Sequence, residues 1–308
     1  MKWIHLGLLL ATSGLCLLTS FCLAGMFGGP TDTFNHLWPV WMAYAIGLLV
    51  ATLSIRALPL SAATSICITL LAAMAIDTRE LPVAEAERDV RILSQNLWGS
   101  VTAAEGVVSL VRTTAPDIIA LQEVYNHQNP ALDVLASDYP YFIRCRWEST
   151  RIYSRLPLSG TGCLRPDHRP GQPHLDLPSS TWAEIELPGG TRFVLGSIHL
   201  TWPDPLSHQG EQIDAIAQEL RRVERADLVL VGDFNAAAPA RSLRRMEEDW
   251  QLARLTRHQA SWPSPLPLFG IDHAFAGENW ARVGIEVGPA NGSDHRPLIV
   301  DLVRAGTD

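Results

Sequence analysis

Six apolar runs in this chain begin or end on polar side chains of kinds that do chemistry. Asn96 closes "VRILSQN", Glu123 closes "PDIIALQE", and His199 nearly closes "TRFVLGSIHL". Asp233 and Asn235 follow "LVLVG", Asp272 and His273 punctuate "GIDHAFAG", and Asp294 and His295 stand just before "RPLIVDLV". Carboxylates, carboxamides and imidazoles converging from separate strand ends are costly to bury unless they bind something. The chemistry this set supports is metal-assisted phosphoryl hydrolysis. Glu123 offers a hard oxygen suited to Mg²⁺ or Mn²⁺, and Mg²⁺ needs only one or two protein carboxylates. Asp233 is expected to align or deprotonate the attacking water, with Asn235 holding phosphate or water beside it. A protonated His295 donates to a phosphate oxygen, and Asp272 or Asp294 raises its pKa. His199 is a second donor to developing charge. Alternation along "IDHAF" turns His273 away from Asp272 and leaves it open between a structural role and a site role.

Strands must hold these residues. Val90–Leu97 reads as a strand, "TAAEGVVSLVRTTA" as a helix, and Pro116 closes that helix before the buried run "DIIALQEV". Further strands are expected over Tyr141–Trp147, Arg151–Ser154, Thr181–Leu187 and Thr191–Leu200, the last two joined at Pro188–Gly190. Ile213, Ile216, Leu220 and Val223 share one face of a helix over Glu211–Arg225. Arg165–Ser180, rich in Pro and His, reads as a loop. Strands interspersed with helices indicate an α/β or α+β core.

Charged residues make up 18% of the 308 residues, below the usual quarter. The deficit lies at the front. Trp3–Phe27, Leu37–Ile55 and Ala57–Ile76 are apolar runs interrupted only by Asp32 and Arg56. Each is about 20 residues, enough for a helix to cross a bilayer. The first run alone would fit a cleaved signal peptide, but two more follow it. Residues 1–77 are therefore expected to form a membrane anchor with about three transmembrane helices, 78–89 a linker, and 90–308 the catalytic part. Lys2 and Arg56 flank the spans on one side, which predicts a cytoplasmic N-terminus and a catalytic part beyond the membrane. The expected location is a bacterial inner membrane, multi-pass, with a periplasmic catalytic part.

From Val83 onward there are 21 Arg, no Lys and 29 Asp plus Glu, a net charge of −8. That balance excludes the broad basic footprint of a duplex-binding protein. It leaves room for a local groove at Arg144, Arg146, Arg151 and Arg155, or for an ordinary solvated hairpin there. Cys145 and Cys163 are the two cysteines outside the apolar front, and they either pair or stay as buried thiols. The remaining histidines of the catalytic part, His127, His168, His174, His208 and His258, are expected at the surface.

"SQNLW", "PDIIALQEV", "SIHL", "LVGDFNA", "GIDHAF" and "GSDHRPLIV" occur in the order seen in the endonuclease/exonuclease/phosphatase superfamily, which includes DNase I-like nucleases, sphingomyelinases and inositol-polyphosphate 5-phosphatases. The resemblance covers about Val90–Leu302. It implies a four-layer sandwich, two packed β-sheets flanked by helices. It also implies a Mg²⁺ site on Glu123 with Asn96 beside it, Asp233 acting on the water, and Asn235 on phosphate. His199 and His295 would stabilise the phosphoryl group, with Asp272 or Asp294 orienting a histidine. Two departures matter. Trp98 stands where some nucleases carry a carboxylate, and Tyr153 in "RIYSRLPLSG" is the candidate phosphate contact of that segment. The three-helix front resembles that of bacterial members. The substrate is then a phosphodiester or phosphomonoester in nucleic acid or in a phospholipid headgroup, and no protein partner is implied. Trp202 and Trp262 could stack on a base, dip into lipid or anchor their loops. The contrasting reading is a non-catalytic membrane scaffold on a retained fold.

Overall fold

The computed structural model describes residues 2–76, 81–145, 149–164, 179–203, 206–256 and 259–306. The helices are α1 (Lys2–Gly25), α2 (Trp38–Ser54), α3 (Leu58–Met74), α4 (Val101–Thr114), α5 (Asn129–Leu132), α6 (Leu206–Glu219) and α7 (Arg241–Glu248). The strands are β1 (Val90–Asn96), β2 (Ile118–Gln122), β3 (Tyr141–Arg144), β4 (Arg151–Ser154), β5 (Leu158–Leu164), β6 (Ser179–Glu186), β7 (Arg192–His199), β8 (Leu228–Asp233), β9 (Ala253–Arg254), β10 (Asp272–Ala276), β11 (Trp280–Val287) and β12 (Leu298–Arg304). They form two units. One is Met1–Ile76 with Ala236–Arg244, and the other is Asp77–Asn235 with Arg245–Asp308.

The first unit packs α1, α2 and α3 around Leu15, Cys22, Ala45, Leu48, Cys67 and Leu71. The Trp38 indole donates to the Leu71 carbonyl at 2.7 Å. Lys2–Gly25 and Pro30–Ser54 are long and apolar enough to cross a membrane, while Leu58–Met74 is a shorter apolar helix of 17 residues. Three full-length spans are thus reduced to two plus a short third helix, because the chain turns at Arg56 (φ 57°) and α3 starts only at Leu58. The Arg241 backbone N–H reaches both carboxylate oxygens of Asp32, at 3.1 and 3.2 Å, and Arg244 Nη2 donates to the Met74 carbonyl at 2.9 Å. Asp32 thereby caps α7 from 209 residues away, as a carboxylate at a helix N-terminus should.

The second unit is two six-stranded mixed sheets, in orders β11-β12-β1-β2-β4-β3 and β5-β6-β7-β8-β10-β9. Each contains one parallel pair, β1/β2 and β7/β8, bridged in sequence by α4 and α6. Parallel pairing requires such a crossover. The sheets pack face to face through Ile92, Ile118, Ala120, Ile152, Ile185, Phe193, Leu195, Val229, Val231 and Trp280. The opposite face of the first sheet packs Leu93, Ile119, Leu121 and Tyr153 against Val107 and Val111 of α4. Strands buried on both faces explain the unbroken apolar runs of the sequence. This is the sandwich of two helix-flanked sheets that the sequence implied.

Local differences have local causes. The α6 helix begins at Leu206 and ends at Glu219, since a turn with the Val223 N–H on the Leu220 carbonyl follows it. Cys145 and Cys163 pair, with Cα atoms 6.0 Å apart. Arg151 is buried and Arg155 lies over the Tyr139 ring, so these two do not line a solvated groove with Arg144. Arg146, Trp147, His168, His174, His258 and most of the expected Arg165–Ser180 loop lie outside the described residues.

Candidate active site

The C-terminal ends of both parallel pairs meet at one point. Asn96 ends β1, Glu123 follows β2, His199 ends β7 and Asp233 ends β8. The register puts His199, Asp233 and Asp272 side by side across β7, β8 and β10. Gly232 makes the tight spot possible: its φ is 140°, and a Cβ there would stand 2.0 Å from the Ile198 carbonyl oxygen. Only glycine tolerates both conditions.

Asn96 joins the two sheets. Its Nδ2 donates to Glu123 Oε1 at 3.1 Å and to Asp233 Oδ2 at 2.9 Å, and its Oδ1 accepts from the Trp98 N–H at 2.8 Å. Two carboxylate acceptors and one N–H donor fix which way this amide points. Asn96 thus stands beside Glu123, with its oxygen on the Trp98 N–H and its amide nitrogen holding two carboxylates in place. Glu123 adopts φ 52°, a conformation that costs a non-glycine residue about 1–3 kcal/mol and that clusters at functional sites. It aims Oε1 to within 3.6 Å of His199 Nε2.

Asp233 is 1% exposed. Burial pushes its carboxyl up to about 6, with His295 pulling down and Asp272 pushing up. Its Oδ2 lies 3.8 Å from Nε2 of both His199 and His295. Its Oδ1 accepts from the Asn235 N–H at 2.8 Å. Asn235 (φ 48°) donates Nδ2 to the Leu200 carbonyl at 2.9 Å.

His295 Nδ1 lies 2.8 Å from Asp272 Oδ2. Burial opposes the imidazolium, but Asp272, Asp233 and Asp294 outweigh it and raise the histidine to about 10. Asp272 is held in turn by the Ser261 hydroxyl. Of the two candidate orienting carboxylates, Asp272 bonds the ring. Asp294 Oδ1 stays 3.9 Å from Nε2, and its Oδ2 accepts from the Trp262 indole at 3.1 Å. His273 points the other way, buried with Nδ1 2.9 Å from the Thr256 hydroxyl.

The structure does not bring Tyr153 to this cluster, which corrects that expectation. Tyr153 pairs with Ile119, four residues before Glu123, and packs on the α4 side of its sheet. Alternation decides it: Ile152 takes the inward position between the sheets. His127 is exposed as expected, and its Nε2 lies 2.6 Å from the Gly99 carbonyl.

Gln95, not singled out by the sequence, proves central. It is 1% exposed. Its Nε2 donates to Asn291 Oδ1 at 2.7 Å and to the His295 carbonyl at 3.0 Å, and its Oε1 accepts from Asn291 Nδ2 at 2.8 Å. Ser293 completes the clasp, donating to the Asn96 carbonyl at 2.7 Å and accepting from the His295 N–H at 3.0 Å. A polar Gln95 two residues after the apolar pair Ile92 and Leu93 is the signal that could have found it, but it abuts the more telling Asn96.

Asp233, Asp272 and His295 lie close enough to share one ion. The 2.8 Å contact between His295 Nδ1 and Asp272 also suits the trio to holding a proton. Glu123 could hold a cation as well. It is a hard oxygen donor with a side chain 24% exposed, open to water that completes a Mg²⁺ shell.

A family model described as "Endonuclease/Exonuclease/phosphatase family" matches residues 93–295, which includes every residue of the cluster. The chain belongs to this family. Solved structures of the family agree in fold. An endonuclease/exonuclease/phosphatase from Bacteroides vulgatus superposes with a TM-score of 0.60 at 17% identity, covering 71% of this chain and all of that one. The mannosyl-6-phosphatase Bt3783 of Bacteroides thetaiotaomicron gives 0.58 at 17% identity, over 70% and 99%. The human Nocturnin catalytic domain with bound sulfate gives 0.56 at 16% identity, over 75% and 96%. No curated protein matches significantly. Membership in this endonuclease/exonuclease/phosphatase family makes the chain a phosphoesterase in the general sense.

Proposed function

We propose that the chain is a membrane-anchored, Mg²⁺-dependent phosphoesterase that hydrolyses a phosphodiester or phosphomonoester by in-line attack of water. One observation carries the reading: Asp233, buried with its carboxyl raised to about 6, lies between His199 and His295 and is held by Asn96. Such a carboxylate is ionised at neutral pH yet basic enough to take a proton from water. Asn235, fixed by Leu200, steadies phosphate or water beside it. His295, kept cationic by Asp272, donates from Nε2 to a phosphoryl oxygen, and His199 donates from the other side. Glu123 would hold Mg²⁺, with Mn²⁺ a substitute, which polarises the phosphoryl oxygen and stabilises the leaving oxygen.

The apolar helices support a bilayer location, and with Leu58–Met74 taken as a third crossing, Lys2 and Arg56 support a cytoplasmic N-terminus and a catalytic part on the far side. The Cys145–Cys163 pair fits a catalytic part in an oxidising periplasm. A non-catalytic scaffold is disfavoured because it would have no use for a strained Glu123 and a buried relay. The test is hydrolysis by the full chain in detergent with Mg²⁺ or Mn²⁺. Substrates are bis-p-nitrophenyl phosphate, p-nitrophenyl phosphate, DNA, RNA and phospholipid, beside Asp233→Ala and Glu123→Ala. Activity lost in both variants is expected. Inactivity on every substrate, or full activity in the variants, overturns the proposal.

A further inference from the structure

Among the described residues, every exposed Trp and Leu of the catalytic unit sits on a loop that carries the site. Trp98, 62% exposed, stands two residues after Asn96, and Trp202, 63% exposed, three after His199. Leu266 and Leu268, 67% and 56% exposed, cap a tight turn in which the Leu268 and Phe269 N–H groups both donate to the Trp262 carbonyl. Trp262 binds that turn to the site. Its indole donates to Asp294, and its ring meets Trp202 edge-on at 6.4 Å. We propose that this rim docks on the surface of a phospholipid bilayer and presents lipid phosphate esters to the site, an inference that rests on the membrane-anchored phosphoesterase reading.

Three observations choose lipid. The stretches 97–101, 200–203 and 261–269 contain no charged residue, in a catalytic part of net charge −8. That is the wrong electrostatics for a polyphosphate backbone. Leucines have no π-face to stack on a base, whereas Trp and Leu together suit the boundary between headgroups and acyl chains. The same chain carries Lys2–Gly25 and Pro30–Ser54, helices long and apolar enough to cross a bilayer, and such a tether raises the local concentration of phospholipid.

The experiment uses the full chain with Cys16, Cys22 and Cys67 replaced by Ser and Leu268→Cys carrying a polarity-sensitive fluorophore, reconstituted in phosphatidylcholine vesicles. Blue-shifted emission that is quenched by spin-labelled lipid is expected at position 268, against water-like emission from the same label at exposed Val134→Cys. Water-like emission at both positions overturns the inference, whatever the enzyme hydrolyses. In mixed micelles, the triple variant Trp202→Ser, Leu266→Ser, Leu268→Ser should lose about tenfold in kcat/KM on phospholipid and stay within about twofold on bis-p-nitrophenyl phosphate. Equal losses on both substrates, or hydrolysis of DNA but no phospholipid, also overturn it. A lipid-quenched label on a chain that hydrolyses nothing would instead remove the phosphoesterase reading and leave the docking surface standing.

Discussion

Replacing Asp272 by Asn should lower the alkaline limit of activity by several pH units. His295 sits at about 10 against an ordinary 6.5. That gap of about 3.5 units is about 5 kcal/mol in favour of the cation. Asp272 Oδ2 lies 2.8 Å from Nδ1. With charge centres about 4 Å apart and an effective dielectric of about 20, this pair supplies about 4 kcal/mol, roughly three units. Asparagine keeps the shape and an acceptor for Nδ1 but removes the charge, so His295 should fall to about 7. At pH 9 the cation would then be about a hundredfold scarcer than in the parent chain, and at pH 6 the two should agree within about threefold. The assay is kcat/KM on bis-p-nitrophenyl phosphate across pH, which reports groups of the free enzyme. The parent should show limbs near 6, from Asp233, and near 10, from His295. The reasoning is refuted if the variant keeps its upper limb near 10. It is also refuted if Asp301→Asn, which breaks the Arg91 ion pair elsewhere in the sheet, shifts that limb as far. The same groups set stability. The raised His295 contributes fully below pH 6.5 and loses that contribution as pH climbs through about 10. The raised Asp233 has the same sign in a lower window, stability falling as pH rises from 3.8 through about 6.

Gln95→Leu strips the clasp from the His295 loop and leaves the Asn291 amide unpaired; denaturant titration should show a loss of about 2–3 kcal/mol, and kcat should fall more than KM. Exchanging the partners, with Gln95→Asn and Asn291→Gln together, should restore part of that loss. Ser at both Cys145 and Cys163 opens a bridge spanning 18 residues, and thermal unfolding should report about 3 kcal/mol less stability, with reductant giving the same decrease in the parent. Gly232→Ala should cost about 4 kcal/mol or more, visible as loss of folded protein on size exclusion, because its Cβ meets the Ile198 carbonyl and φ stays positive.

What the sequence disclosed divides by mechanism. Residues at the ends of β1, β2, β7 and β8 were legible because an apolar run that stops on Asn, Glu, His or Asp carries its own contrast. The two sheets followed from buried runs separated by helical crossovers. Tyr153 misled because the phase of a four-residue strand decides which face a side chain takes, and "RIYS" offers no alternation to read. The bridge that Asn96 makes between two carboxylates was not legible, because it depends on the positions of Glu123 and Asp233. Gln95 and Ser293 stayed hidden because their value lies in partners about 196 and 197 residues distant. The third apolar run looked long enough to span because Ala57, Ala75 and Ile76 count as apolar in composition, whereas the helix itself runs only over Leu58–Met74.

The cap that Asp32 places on α7 bears on how this protein can be cut. Linker composition invites a break near residue 77 to obtain a soluble catalytic fragment. That fragment would carry α7 without the carboxylate that receives the Arg241 N–H and without the Met74 carbonyl that receives Arg244. Ala236, Ala237, Ala240 and Leu243, buried in the intact chain, would lose their surroundings in the same stroke. Asn235 is the residue immediately before them. A shortened chain that hydrolyses nothing would therefore report on a frayed helix just downstream of Asn235, and not on the chemistry of Asp233.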